Sequence, residues 1–105
     1  MVFIVFLRFS TNRGEARLWM DAHNEWIQRG IDERIFLIVG SLEGGAGGGI
    51  VAIDTSIDAL RARIAEDPFV AHRVVEAEIV PVKPSRTSPL FGDLFTTLGQ
   101  PRTTA

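Results

Sequence analysis

Gly40-Ser41-Leu42-Glu43-Gly44-Gly45-Ala46-Gly47-Gly48-Gly49, running into Ile50-Val51-Ala52-Ile53, is the stretch that decides the fold. Taken alone, Gly47 to Ala52 satisfies the G-x-G-x-x-A spacing of a dinucleotide-binding turn. Such a turn must open a helix, because the helix N-terminus supplies the N–H groups that face phosphate. Here the glycines open a run of β-branched residues, and no Gly-Lys-Ser/Thr follows. Immediately upstream lies a second apolar run, Arg34-Ile35-Phe36-Leu37-Ile38-Val39. Two strands joined by a glycine-rich connection over 40–49 make a hairpin. Nucleotide binding is not expected on that reading, and a flexible connection beside a pocket could act as a lid.

Working outward, Val2-Phe3-Ile4-Val5-Phe6-Leu7 is apolar at every position. A strand with one wet face alternates, so this one is expected to be covered on both faces. Ser10-Thr11-Asn12-Arg13-Gly14 is turn-like, and a helix fits residues 15–29 with Gly30 as its C-terminal stop. Its inward line is read as Leu18, Ala22 and Trp26 together with Trp19 and His23. Asp54-Thr55-Ser56 caps a second helix over 57–65, facing inward with Ile57, Leu60 and Ile64. Asp67 followed by Pro68 starts one more helical turn. The last strand, 74–82, alternates Val75, Ala77 and Ile79 with Glu76 and Glu78, and its prolines suit a strand end. The order is β-α-β-β-α-β, an α+β chain of the ferredoxin-like kind: a four-stranded antiparallel sheet with both helices on one face. That leaves one sheet face bare, and a second copy of the chain is the expected cover, giving a homodimer.

With 105 residues, the chain holds one domain and a single core. A body over 1–84 is expected, followed by a C-terminal arm over 85–105. The arm is rich in Ser, Thr and Pro, yet Leu90, Phe91, Leu94, Phe95 and Leu98 recur at near-helical spacing. That stripe predicts docking on the body or on the partner subunit. The formal charge is −2 and the arginines, among them Arg61, Arg63, Arg73 and Arg86, are scattered. Neither nucleic acid nor an anionic membrane surface is an expected partner. The Val2 to Leu7 run lacks a basic segment before it and a cleavage site after it, and no stretch of about 20 apolar residues occurs. A cytoplasmic protein is expected. The absence of cysteine removes disulfides, thiolate metal sites and thiol catalysis.

Few residues remain that can move protons near neutral pH. There are two histidines, and His23 lies on the inward side of the first helix. Asp67 starts a rigid turn beside the apolar anchor Phe69. A histidine held by a carboxylate is the simplest general base a small domain can build. Each residue also has a purely structural reading. The His23 ring could pack between Trp19 and Trp26, and Asp67 could do no more than cap its own turn. Capping and orienting a histidine are compatible, since a carboxylate offers several lone pairs. Ser41 could donate to a ligand oxygen, but no Gly-x-Ser-x-Gly elbow marks it as a nucleophile. Arg8 could anchor an anionic substrate or simply snorkel from a strand edge. His72 has no assigned role, and the two histidines lack any metal-ligand spacing, so neither a metal nor another cofactor is expected.

The pattern resembles the YCII-related family of small dimeric α+β barrel proteins. The matching pieces are residues 2–8, Ala22-His23-Asn24-Glu25-Trp26, Val39-Gly40-Ser41-Leu42, the glycines of 44–49 before Ile50-Val51-Ala52-Ile53, residues 57–65, Asp67-Pro68-Phe69-Val70, and Val75-Glu76-Ala77-Glu78-Ile79. They span residues 1 to about 83 and leave out the tail. The resemblance implies a ferredoxin-like dimer with a His–Asp pair in a pocket, here His23 and Asp67, and with Ser41 lining it. Gly40, Phe69, Trp26 and Arg8 are the further candidate substrate contacts. One group similar to this family removes chloride from chlorinated hydroxyhydroquinones; most members have no assigned reaction.

Three functions are therefore open. The first is cofactor-independent proton transfer on a small aromatic or enolic molecule, by elimination or isomerisation. The second is a non-catalytic small-molecule-binding or assembly module of the same fold. The third is cofactor-free oxygenation.

Overall fold

Why the chain folds around its first strand is visible in the register. The computed structural model describes residues 1–92. Leu94, Phe95 and Leu98 of the expected arm lie outside the described residues. Strand β1 (Val2–Phe9) pairs antiparallel with β3 (Gly47–Ala52) on one side and β4 (Val75–Val82) on the other, and β2 (Phe36–Leu42) adds to β3. The sheet order is β2-β3-β1-β4, the ferredoxin-like arrangement that the element order predicts. Helices α1 (Ala16–Asp32), α2 (Ile57–Ala65) and the single turn α3 (Pro68–Ala71) complete the α+β fold.

Alternation along β1 divides the molecule. Phe3, Val5 and Leu7 point toward the helices and are buried, together with Ile50 and Ala52 from β3 and Val75 from β4. Trp26 from α1, Leu60 and Ile64 from α2 and Phe69 from α3 close this core from above. The opposite face carries Val2, Ile4 and Phe6, only half-buried, beside Ile38 at 54% exposure and the exposed Val82. Helices α1, α2 and α3 all pack on the buried face, so these three elements meet the two-sided cover expected for β1 on one side.

Three local readings change, each for a physical reason. Helix α1 runs through Gly30 to Asp32. Gly30 is a packing residue, because a Cβ there would lie 2.2 Å from the Phe36 ring. The helix stops instead at Arg34, whose φ of 63° lets its N–H reach the Ile31 carbonyl and the Ile35 N–H reach the Gly30 carbonyl. That is a Schellman closure with arginine where glycine is usual. Secondly, Leu18 is 72% exposed and Ala22 is also exposed, so the inward line is Trp19, His23, Trp26, Ile27 and Gly30. Thirdly, the glycine connection is shorter than 40–49. Strand β2 extends to Leu42 and β3 begins at Gly47, which leaves a turn over 43–46. Gly47 is obligatory there, with φ 139° and a virtual Cβ 1.9 Å from the Leu7 carbonyl oxygen.

The second half of the chain follows its sequence signals closely. The Ser56 hydroxyl accepts the Ala59 N–H at 3.1 Å and caps α2. Asp67 caps α3 with Pro68 in the first turn. A second Schellman closure ends α3 at Arg73, φ 58°, and delivers Val74 into the core at the start of β4.

Candidate active site

Two elements far apart in sequence bring the dyad together. His23 sits mid-way along α1 on its sheet-facing side, and Asp67 is the N-cap of α3. Asp67 Oδ1 accepts the Phe69 N–H at 3.0 Å and lies 2.7 Å from His23 Nδ1. One carboxylate oxygen thus both caps the turn and holds the ring. Asp67 is fully buried at 0% exposure, and the His23 side chain is 12% exposed. Phe69, two residues along the same turn, stacks flat on the imidazole, centroids 3.9 Å apart and planes 5° from parallel. The ring is therefore fixed by a hydrogen bond along one edge and by an aromatic face.

This bonding fixes the chemistry available. With Nδ1–H donating to Asp67, the neutral ring carries its lone pair on Nε2, the arrangement a general base needs. Asp67 Oδ2 is buried without a hydrogen-bond partner among the described residues. The polar contacts that hold this carboxylate therefore gather on Oδ1.

Above the dyad lies a cleft of about 290 Å³ between α1 and the helix-facing side of the sheet. Leu7, Ile27, Val39, Ile50, Phe69 and Val75 give it apolar walls, and Gly47, Gly48 and Gly49 contribute bare backbone. His23, Asn24 and Ser41 are its polar side chains, and His23 is the one ionisable group among the lining residues.

Of the residues singled out in the sequence, His23, Ser41, Gly40 and Phe69 line this cleft, and Asp67 stands directly behind His23. Trp26 and Arg8 are placed elsewhere. Trp26 is buried at 1% exposure, donates Nε1–H to the Arg63 carbonyl at 3.0 Å and meets the Phe36 ring edge-on. Arg8 lies on the bare sheet face, 2.6 Å from Glu78 and over the Phe6 ring. Nor does the His23 ring pack between two tryptophans. Trp19 stacks instead on His72, centroids 3.5 Å apart, which gives that second histidine a partner the sequence did not suggest. Asn24 and Met20 are cleft residues that sequence reasoning missed. Their signal was available: Met20, His23, Asn24 and Ile27 fall at i, i+3, i+4 and i+7 of one helix stripe. Among the described residues no group of three or more His, Asp or Glu is placed to hold a metal ion, and no helix is long and apolar enough to cross a membrane.

No family model and no curated protein matches the sequence. The fold does have a solved counterpart. The structure is similar to that of 5-chloro-2-hydroxyhydroquinone dehydrochlorinase from Burkholderia phenoliruptrix in complex with 2,5-dihydroxybenzoquinone, with a TM-score of 0.64. The match covers 79% of this chain and 94% of that one at 16% identity, and at that identity it speaks for the fold.

Proposed function

We propose that this protein is a cofactor-independent enzyme that moves a proton on a small hydroxylated aromatic or enolic molecule. The observation that carries this reading is the His23–Asp67 pair, held by a buried capping carboxylate and set in the wall of an apolar cleft. His23 Nε2 takes a proton from the substrate, and Asp67 holds the ring and balances the charge it gains. The electron pair released moves into the substrate. Either a leaving group such as chloride departs, which is elimination, or the proton returns at another position, which is isomerisation. Ser41 and Asn24, the other polar side chains of the cleft, are assigned to hydrogen-bond substrate oxygens on this reading. Support comes from the resemblance to the YCII-related family and from the likeness in fold to a dehydrochlorinase that binds a dihydroxybenzoquinone.

A screen of chlorinated di- and trihydroxybenzenes, read by chloride release and by ring absorbance, tests it. With an active compound in hand, His23→Ala should lower turnover by about 10²–10⁴-fold while the chain stays folded. Retained turnover in that variant would remove His23 from the chemistry. Ligand binding without any turnover would leave a binding module of the same fold.

We also propose that the working unit is a homodimer joined through the bare sheet face, where Val2, Ile4, Phe6, Val51 and Val80 form a half-buried apolar band. Apolar bands of this kind rarely stay open to water. Sedimentation equilibrium at micromolar concentration should give twice the 11.6 kDa chain mass. A mass equal to one chain would refute the assembly.

A further inference from the structure

Three consecutive glycines open β3, and the backbone requires glycine at only one of them. Gly47 is required by the backbone, as its positive φ and its contact with the Leu7 carbonyl show. Gly49 faces the other side of the sheet, opposite Phe6 and Gly40. A Cβ on Gly49 would meet only the end of the Leu42 side chain, at 3.4 Å, so of the two glycines that the backbone does not require, Gly48 is the one on the helix-facing side. Its φ lies outside the left-handed region, and a Cβ built on it would meet only the Gly40 carbonyl oxygen, at an ordinary 3.5 Å. The backbone at this position accepts a side chain. A glycine in a strand interior is also a cost, since it orders more backbone freedom and packs nothing.

What a side chain at Gly48 would fill is the cleft. Gly48 pairs with Leu7 of β1 and Ser41 of β2, and it shares their helix-facing side of the sheet. All three line the cavity that His23 enters from α1. We propose that Gly48 is the specificity-determining residue of the site: its missing side chain leaves a flat peptide floor on which a planar ring lies between Ser41 and Leu7, within reach of His23. The inference rests on the reading of the cleft as a small-molecule site, and it adds which residue sets the shape the ligand must have. Because His23 is the one ionisable lining group, the ring that fits is neutral on entry, with hydroxyls for Ser41 and Asn24 and no carboxylate or phosphate.

Phenol at millimolar concentration, followed through the backbone amide shifts of Gly48, Ser41 and Asn24, is a sufficient probe. The unaltered chain should show saturable shifts at these residues, and benzoate should produce none. Gly48→Val should melt no lower than the unaltered chain and bind phenol about tenfold or more weakly, with Gly48→Ala intermediate. If the valine variant does not fold, the alanine variant decides by the same two measurements. Undiminished phenol binding in a folded variant, a lower Tm for Gly48→Ala, or no shifts in the unaltered chain would each overturn the proposal. Loss of the proposed enzymology is a separate result: phenol binding at Gly48 without turnover of any hydroxyarene would remove the catalytic reading and leave this one standing.

Discussion

Asp67→Asn is expected to leave the domain folded and to lower its proton-transfer activity by about 10²–10⁴-fold. Asparagine has nearly the same shape and keeps a carbonyl oxygen that can still accept the Phe69 N–H in the cap. What it cannot keep is the negative charge, and because one oxygen serves both the cap and the ring, a flipped amide loses both contacts. With the amide NH₂ turned toward His23, the ring must offer Nδ1 as acceptor and carry its proton on Nε2, where it can no longer take one from substrate. With the carbonyl turned toward His23, the tautomer survives but the negative charge that balances a protonated ring is gone. Asp67→Ala should fare worse, because it also removes the cap, a loss of about 1 kcal/mol. Thermal melts beside turnover assays separate the two effects. An asparagine variant with full activity would reduce Asp67 to a capping residue.

Trp26→Ala should be the most destabilising single exchange in the core. The side chain is 1% exposed, meets Phe36 edge-on with ring centroids 5.1 Å apart, and ties α1 to the end of α2 through the Arg63 carbonyl. Truncating a buried tryptophan costs about 3–5 kcal/mol. A domain of this size has about 5–15 kcal/mol in total, so the variant should sit close to its unfolding midpoint under mild conditions. Trp26→Phe keeps most of the volume and loses one hydrogen bond, at about 0.5–1.5 kcal/mol, since the Arg63 carbonyl still accepts the Glu66 N–H at 3.1 Å. Urea titrations give both numbers. A loss below about 1 kcal/mol for the alanine variant would show that the core closes without this anchor.

The element order was legible because the hydrophobic periods are clean. β1, α2 and the Asp-Pro turn all appear where apolar spacing and capping residues put them. Misreadings gathered at glycine, the residue whose pattern carries least information. Gly30 reads as a helix stop from sequence, yet its role is to admit the Phe36 ring, a contact made across the fold. Gly47 to Gly49 read as a loop because they lack side chains, although their backbones pair fully with β1 and β2. Leu18 reads as core by spacing, but α1 is rotated so that Trp19 and His23 face the sheet. At the site, His23 could be chosen over His72 because it lies on the inward side of the first helix, whereas its meeting with Asp67 is a contact across the fold that no spacing reveals. Trp26 and Arg8 show the limit from the other side. The Trp26 ring lies 6.0 Å from the His23 ring, and Arg8 is the one cation of the apolar first strand, yet neither side chain lines the cleft.

His23 and Asp67 are 44 residues apart in the chain. The segment between them contains β2, the hairpin turn, β3 and all of α2. Long-range contacts of this kind are late to be rewarded, since chain closure must come first. A refolding chain can regain its helical signal from α1 and α2 while the two halves of the dyad are still apart. Recovered catalysis would therefore lag recovered ellipticity, and an activity assay would time the closing of the whole domain around its hairpin.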